Sequence, residues 1–176
     1  MKLRPYEKAD ATYIRQWITS ERVHAMWSAG KLAYGFDEKE LQVLLDTEAV
    51  TWHQKVFMAV SDEGIPIGSF GMNINKEDNS VFMCRIIVDG KERGKGYGFR
   101  MITEALQYAF HILKAECVRL SVFDCNMPAR KTYEKAGFQE ESFCADALTF
   151  EGETWGRYIL KAECCIGGKI DGVPVN

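Results

Sequence analysis

The pattern of apolar and polar positions along the chain predicts most of its elements. Lys2 to Tyr6 reads as a short first strand ended by Pro5. Asp10 stands where an N-cap would, ahead of a helix carrying Ile14, Trp17 and Ile18 on one face. A second helix start is marked by Asp37 and Glu40 at capping-box spacing, with Phe36 and Leu41 placed as a hydrophobic staple. Three strands follow: Val56 to Ser61, Ile65 to Asn75 and Val81 to Val88, with Asp62-Glu63-Gly64 as the turn between the first two. A glycine-rich loop then opens a long helix whose stripe is Phe99, Ile102, Leu106, Ala109, Phe110 and Leu113. Val118 to Asp124 is the next strand, and a helix from Pro128 to Ala136 stops at Gly137. Glu141 to Thr149 and Thr154 to Glu163 form a closing hairpin. The order β-α-α-β-β-β-α-β-α-β-β predicts a mixed α/β (α+β) domain on a largely antiparallel sheet.

Composition narrows the class. With 176 residues, 47% of them hydrophobic and 27% charged, the chain can bury a full core without disulfides or a structural metal. A formal charge of −3 gives no support for a nucleic-acid partner. No apolar run approaches the ~20 residues that span a bilayer, and the first residues do not form a signal peptide. The expectation is a soluble, cytoplasmic protein with no membrane partner. Six cysteines without a C-x-x-C pair, and three scattered histidines, predict buried reduced thiols and no metal.

The loop from Gly90 to Gly98 carries the first chemistry. Gly94, Gly96 and Gly98 alternate just before a helix, so backbone N–H groups can approach a ligand closely. The helix N-terminus adds unsatisfied donors, and Arg93 and Lys95 add charge, an arrangement suited to a pyrophosphate. The interval from Gly90 to Lys95 is wrong for a P-loop and lacks its hydroxyl. The G-x-G-x-G spacing and mid-chain position also fail the dinucleotide fingerprint. A plain glycine-rich turn remains the competing reading of this segment alone.

What does fit is R-x-x-G-x-G over Arg93 to Gly98, which resembles the acetyl-CoA pyrophosphate loop of the GNAT (GCN5-related) N-acetyltransferase superfamily. About thirty residues later, Asn126 to Phe138 resembles that family's N-x-x-A-x-x-x-Y-x-K-x-G-F segment. The resemblance covers roughly residues 1–162 and is closest to the ribosomal-protein N-terminal acetyltransferase-like branch. It implies a six- to seven-stranded sheet flanked by about four helices, and direct attack of a primary amine on the acetyl thioester without an acyl-enzyme. It also implies acetyl-CoA as cosubstrate, held by Ile87, Val88, Arg93, Gly94, Lys95, Gly96, Tyr97, Gly98, Asn126 and Arg130. Tyr133 is implied as the acid that protonates the leaving thiolate, and the backbone N–H near Val88 as a contact of the acetyl carbonyl. Helical spacing independently puts Asn126, Arg130 and Tyr133 on one face.

Three features of this sequence stand apart from the pattern. Many family members carry a glutamate base on the fourth strand, but Val81 to Val88 contains no carboxylate. Glu77, Asp78 and Asp89 flank it, and the base stays unassigned. Strict alternation would put Val81, Met83, Arg85 and Ile87 on one face, so Arg85 must be ion-paired or lie in a cleft, where it could bind a carboxylate of the acceptor. Met26 to Gly30 reads as a loop in which Trp27 walls an acceptor pocket. The acceptor expected is a small amine or a protein N-terminus, the protein a monomer or homodimer. Residues 163–176 are expected as a tail, docked or at a subunit interface. A non-catalytic acyl-CoA-binding module on the same fold is the alternative.

Overall fold

The computed structural model describes residues 1–164; the expectation for the tail lies, from Cys165 on, outside the described residues. Seven strands form one sheet: β1 (Lys2–Pro5), β2 (Lys55–Val60), β3 (Pro66–Asn75), β4 (Ser80–Val88), β5 (Cys117–Phe123), β6 (Gln139–Phe150) and β7 (Glu153–Glu163). Their spatial order is β1-β2-β3-β4-β5-β7-β6, and every neighbouring pair is antiparallel except β4–β5. The helices are α1 (Ala11–Trp17), α2 (Glu21–Ser28), α3 (Glu38–Trp52), α4 (Tyr97–Gln107, continued by a π turn to Ile112) and α5 (Met127–Lys135).

The two faces bury separate cores. On one, Ile102, Leu106, Ala109 and Phe110 of the predicted stripe pack with Met72, Leu120 and Leu160 of the sheet. On the other, Ile14, Trp17, Trp27, Leu41 and Leu45 of the N-terminal helices, with Phe36 from the connection before α3, pack against Met58 and Ile87. The predicted capping box starts α3: Asp37 accepts from the Glu40 N–H at 2.8 Å, and Glu40 accepts from the Asp37 N–H at 2.8 Å. Its staple residues, Phe36 and Leu41, are both buried.

Four expectations are corrected. Asp10 does not cap α1 with its side chain; it bonds back to the Glu7 N–H and pairs with Arg4 at 2.6 Å. Met26–Gly30 is not a loop, because Ser20 caps a helix that runs through Ser28, its hydroxyl accepting from the Val23 N–H at 3.2 Å. The five described cysteines are free thiols, but Cys125 and Cys144 are exposed and Cys84, Cys117 and Cys164 half-buried, rather than all buried.

The fourth correction shapes the site. β4 contains a bulge: Gly71 pairs with Cys84 and Ser69 with Ile87, so two residues of β4 stand opposite Phe70. Arg85 takes the extra position, with φ at +47°. The inserted residue inverts the alternation, leaving Val81 and Met83 in the α4 core and Ile87 in the N-terminal core. β4 and β5 are paired only from Ser80–Met83 to Cys117–Leu120; beyond that the parallel strands part.

Candidate active site

The gap between β4 and β5 is the centre of the site. Asp89 N–H bonds to Ile67 O, and Val88 stands one residue away opposite Gly68. By alternation, the Val88 N–H and C=O face away from β3, into the gap. Among the described residues no strand meets them there. Arg93 Nε donates to the Val88 carbonyl at 3.3 Å, which leaves the N–H as the open donor of that residue.

On the α4/α5 face the gap opens into a cleft of about 590 Å³. Its floor is Ile86, Ile87 and Val88 of β4 with Met101 and Ile102 of α4; α5 gives one wall, and Met26 and Trp27 of α2 reach its inner end. The rim is the glycine loop. Gly94 and Gly96 sit at φ +78° and +83°, a conformation that disfavours any residue with a Cβ. Gly96 is the N-cap of α4 and has no capping side chain, so the N–H groups of Tyr97, Gly98 and Phe99 lack intrahelical partners. Gly98 differs: its φ is not positive, and a Cβ there would stand an ordinary 3.8 Å from Thr132 Cγ2 and from Val88 Cγ2. Arg93, Lys131 and Lys135 are the charged residues of the lining, and no carboxylate belongs to it among the described residues. Open N–H donors with three cations fit a polyphosphate, and the apolar floor fits an uncharged arm leading to the gap.

A second cavity of about 220 Å³ lies on the opposite face, lined by Phe82–Ile86 of β4, Ser121–Phe123 of β5, Ser28, Lys31, Asn73 and Arg157. It shares Met26, Trp27, Ile86, Asn126 and Tyr133 with the cleft. The two cavities therefore meet through the strand gap, from opposite sides of the sheet.

Tyr133 occupies that junction. It is 7% exposed, packs edge-on against Phe138, and burial raises its phenol above the ordinary tyrosine range. Asn126 caps α5 by accepting from the Ala129 N–H at 3.4 Å and borders both cavities. Trp27 is stacked on Phe36 and donates from Nε1 to the Arg85 carbonyl at 3.0 Å, pinning the bulge. The Arg85 side chain bonds to Glu48 and, at 2.6 Å, to Gln54 Oε1. Glu48 is also held by Lys31 at 2.6 Å. Burial alone would raise the Glu48 carboxyl, but the Arg85, Lys31 and Gln54 bonds outweigh it and hold the pKa below the ordinary value.

Of the sequence-predicted residues, Ile87, Val88, Arg93, Gly94, Gly96, Gly98, Asn126 and Tyr133 border the cleft, Trp27 borders both cavities and Arg85 the smaller one. Three do not. Arg130 turns away: it pairs with Glu134 at 2.7 Å and Glu140 at 3.0 Å and lies over the Tyr158 ring. Asn126 is a cap with non-helical backbone, so counting four residues from it misplaces the helix face; Ala129, Thr132 and Tyr133 form that face instead. Lys95 pairs with Glu92 at 3.0 Å, and Tyr97 packs against the α4 core. Glu77 and Asp78 lie at the far end of β4, roughly 30 Å of strand from Val88, and Asp89 is engaged by the Lys91 N–H at 3.0 Å. Sequence reasoning missed Lys131 and Lys135, whose i, i+4 spacing on the α5 face was the available signal.

A sequence model of the acetyltransferase (GNAT) family matches residues 12–138, which span α1 to the residue after Gly137. The chain belongs to the GNAT acetyltransferase family. Among relatives, the spermine/spermidine N(1)-acetyltransferase of Bacillus subtilis is 32% identical over 80 residues, 44% of this chain and 50% of that protein. The match thus spans about half the length of that relative. The spermidine N(1)-acetyltransferase of Vibrio cholerae is 26% identical over 167 residues, 93% of this chain and 94% of that one. Among solved structures, the Vibrio cholerae spermidine N-acetyltransferase in complex with CoA and spermine superposes with a TM-score of 0.81 at 23% identity, covering 92% of this chain and 94% of that chain. That likeness establishes a shared GNAT fold. These relatives carry polyamine-acetyltransferase names, not the ribosomal-protein branch favoured by the sequence resemblance.

Proposed function

We propose that this GNAT protein transfers an acetyl group from acetyl-CoA to a primary amine, a small amine or a peptide N-terminus, by direct attack. The observation that carries this reading is the junction: Tyr133 and the gap-facing edge of β4 are reached by one cavity from each side of the sheet. Two substrates can then meet in line, each held by its own cavity, which is the positional part of the rate gain. Arg93, Lys131, Lys135 and the N–H groups of the glycine loop hold the cosubstrate's phosphates. Ile87, Val88 and Asn126 flank the arm that reaches the gap.

The C–N bond forms as the C–S bond breaks. Negative charge that develops on the acyl oxygen is met by the Val88 N–H. The Tyr133 hydroxyl gives its proton to the departing sulfur, the amine loses its proton to water, and water returns one to Tyr133, which closes the cycle. Among the described residues, no histidine borders either cavity, and burial pushes the Cys84 thiol up, so the lining offers no activated nucleophile for an acyl-enzyme. The missing carboxylate also suits the second reading, a non-catalytic acyl-CoA-binding module. Release of CoA thiol on addition of primary amines, with product mass confirmed, separates the two. Tyr133→Phe is expected to lower kcat by about 10²-fold with CoA affinity retained; unchanged turnover would remove Tyr133 from the acid's role.

A further inference from the structure

The smaller cavity has a charge pattern that acetyl transfer alone does not require. Arg85, Arg157 and Lys31 line it, and no carboxylate does among the described residues. Glu48 is the one acid paired with any of them, shared between Arg85 and Lys31. Three cations less one anion leave the lining at +2. A neighbouring acid, Glu153, is engaged elsewhere: it bonds to Arg22 at 2.8 Å and to the Trp155 indole N–H at 2.9 Å.

The cations are not equivalent. Arg85, 9% exposed, gives its Nη2 donors to Glu48 and Gln54 and is neutralised in part by that ion pair, so it contributes mainly field. Arg157 stands on β7 opposite Phe123, is exposed, and makes no ion pair among the described residues. Its planar fork is available to a ligand and matches a carboxylate in a bidentate arrangement.

We propose that the acceptor amine carries a carboxylate, as an amino acid or small peptide does, and that Arg157 binds that carboxylate within the field of Arg85 and Lys31. This rests on the transfer reading above and names the class of its acceptor. A carboxylate would lower the charge of the lining on binding. A polyamine would add two or more positive charges to it, which Coulomb repulsion opposes.

Matched acceptors test the idea: lysine against cadaverine, ornithine against putrescine, phenylalanine against 2-phenylethylamine, with spermidine alongside, all read by CoA-thiol release and product mass. In at least one pair the carboxylate-bearing member should have a kcat/KM about tenfold or more higher, the worth of a charge-assisted bond. Arg157→Gln should narrow that ratio to below about threefold through acceptor KM, leaving the KM of acetyl-CoA in place, and Arg157→Lys should restore part of it. Preference for spermidine or the carboxylate-free members would overturn the proposal and leave the transfer reading standing. If CoA binds calorimetrically but no amine releases thiol, the transfer reading falls and takes this one with it.

Discussion

Tyr133 borders both cavities, and burial holds its proton in place. A phenol raised above its ordinary pKa stays protonated across the neutral and mildly alkaline range, so it is a donor throughout. The pH profile of kcat should therefore show no alkaline limb from Tyr133 below pH about 10. A limb in that range that disappears in Tyr133→Phe would contradict the assignment. The loop residues act differently, through backbone geometry. Gly96→Ala puts a Cβ at φ +83°, which costs roughly 1–2 kcal/mol and disturbs the first-turn donors of α4. Its signature is weaker CoA binding by calorimetry with a small loss of Tm. Gly98→Ala has no such backbone cost, and meets Thr132 Cγ2 at an ordinary 3.8 Å.

At the level of elements, the bulge in β4 is the feature that organises the site. It aims Arg85 at Glu48 of α3 and at Gln54 just beyond that helix, and lets Trp27 of α2 grip the Arg85 carbonyl. Glu48→Gln would leave Arg85 buried without its anion, an uncompensated charge that costs about 3–5 kcal/mol. Urea unfolding at neutral pH measures it directly. The sign with pH follows from the depressed Glu48 pKa. Its contribution is complete above the unfolded carboxylate value of about 4.3, and is lost as pH falls from there through the lower folded value. The stability gap between wild type and Glu48→Gln should accordingly shrink below about pH 4.3. The same bulge marks where reading the sequence stopped working. Alternation along Val81–Val88 is sound up to Cys84, but the inserted residue depends on Phe70 of β3 and on an anion 37 positions earlier in the chain. The helix α2, by contrast, was legible: Ser20 followed by Glu21 is a start signal, overlooked beside the glycine at position 30.

Across the whole molecule, the fold and the glycine loop at the rim of the cleft were legible because they depend on short spacings. Asp37 to Glu40, Arg93 to Gly98 and Asn126 to Gly137 each specify local backbone. What brings the smaller cavity together is long-range: Lys31, Arg85 and Arg157 come from three separate stretches of chain and line one cavity only in the folded protein. The charge of −3 for the entire chain conceals this, since the cleft and the smaller cavity are both lined by cations. The parting of β4 and β5 has a further consequence. Four residue pairs join these two strands, and past Met83 and Leu120 the two halves of the sheet are not bonded to each other. Whatever fills the opening takes the place of a missing rung. Deuterium uptake at the Val88 amide should be rapid in the protein alone and slow once CoA is added. Melting should rise with ligand as well, by about 2.7 kcal/mol of stability at a hundredfold excess over Kd. The cosubstrate would then be a mechanical part of the sheet, and the protein would be stiffest at the moment it is ready to react.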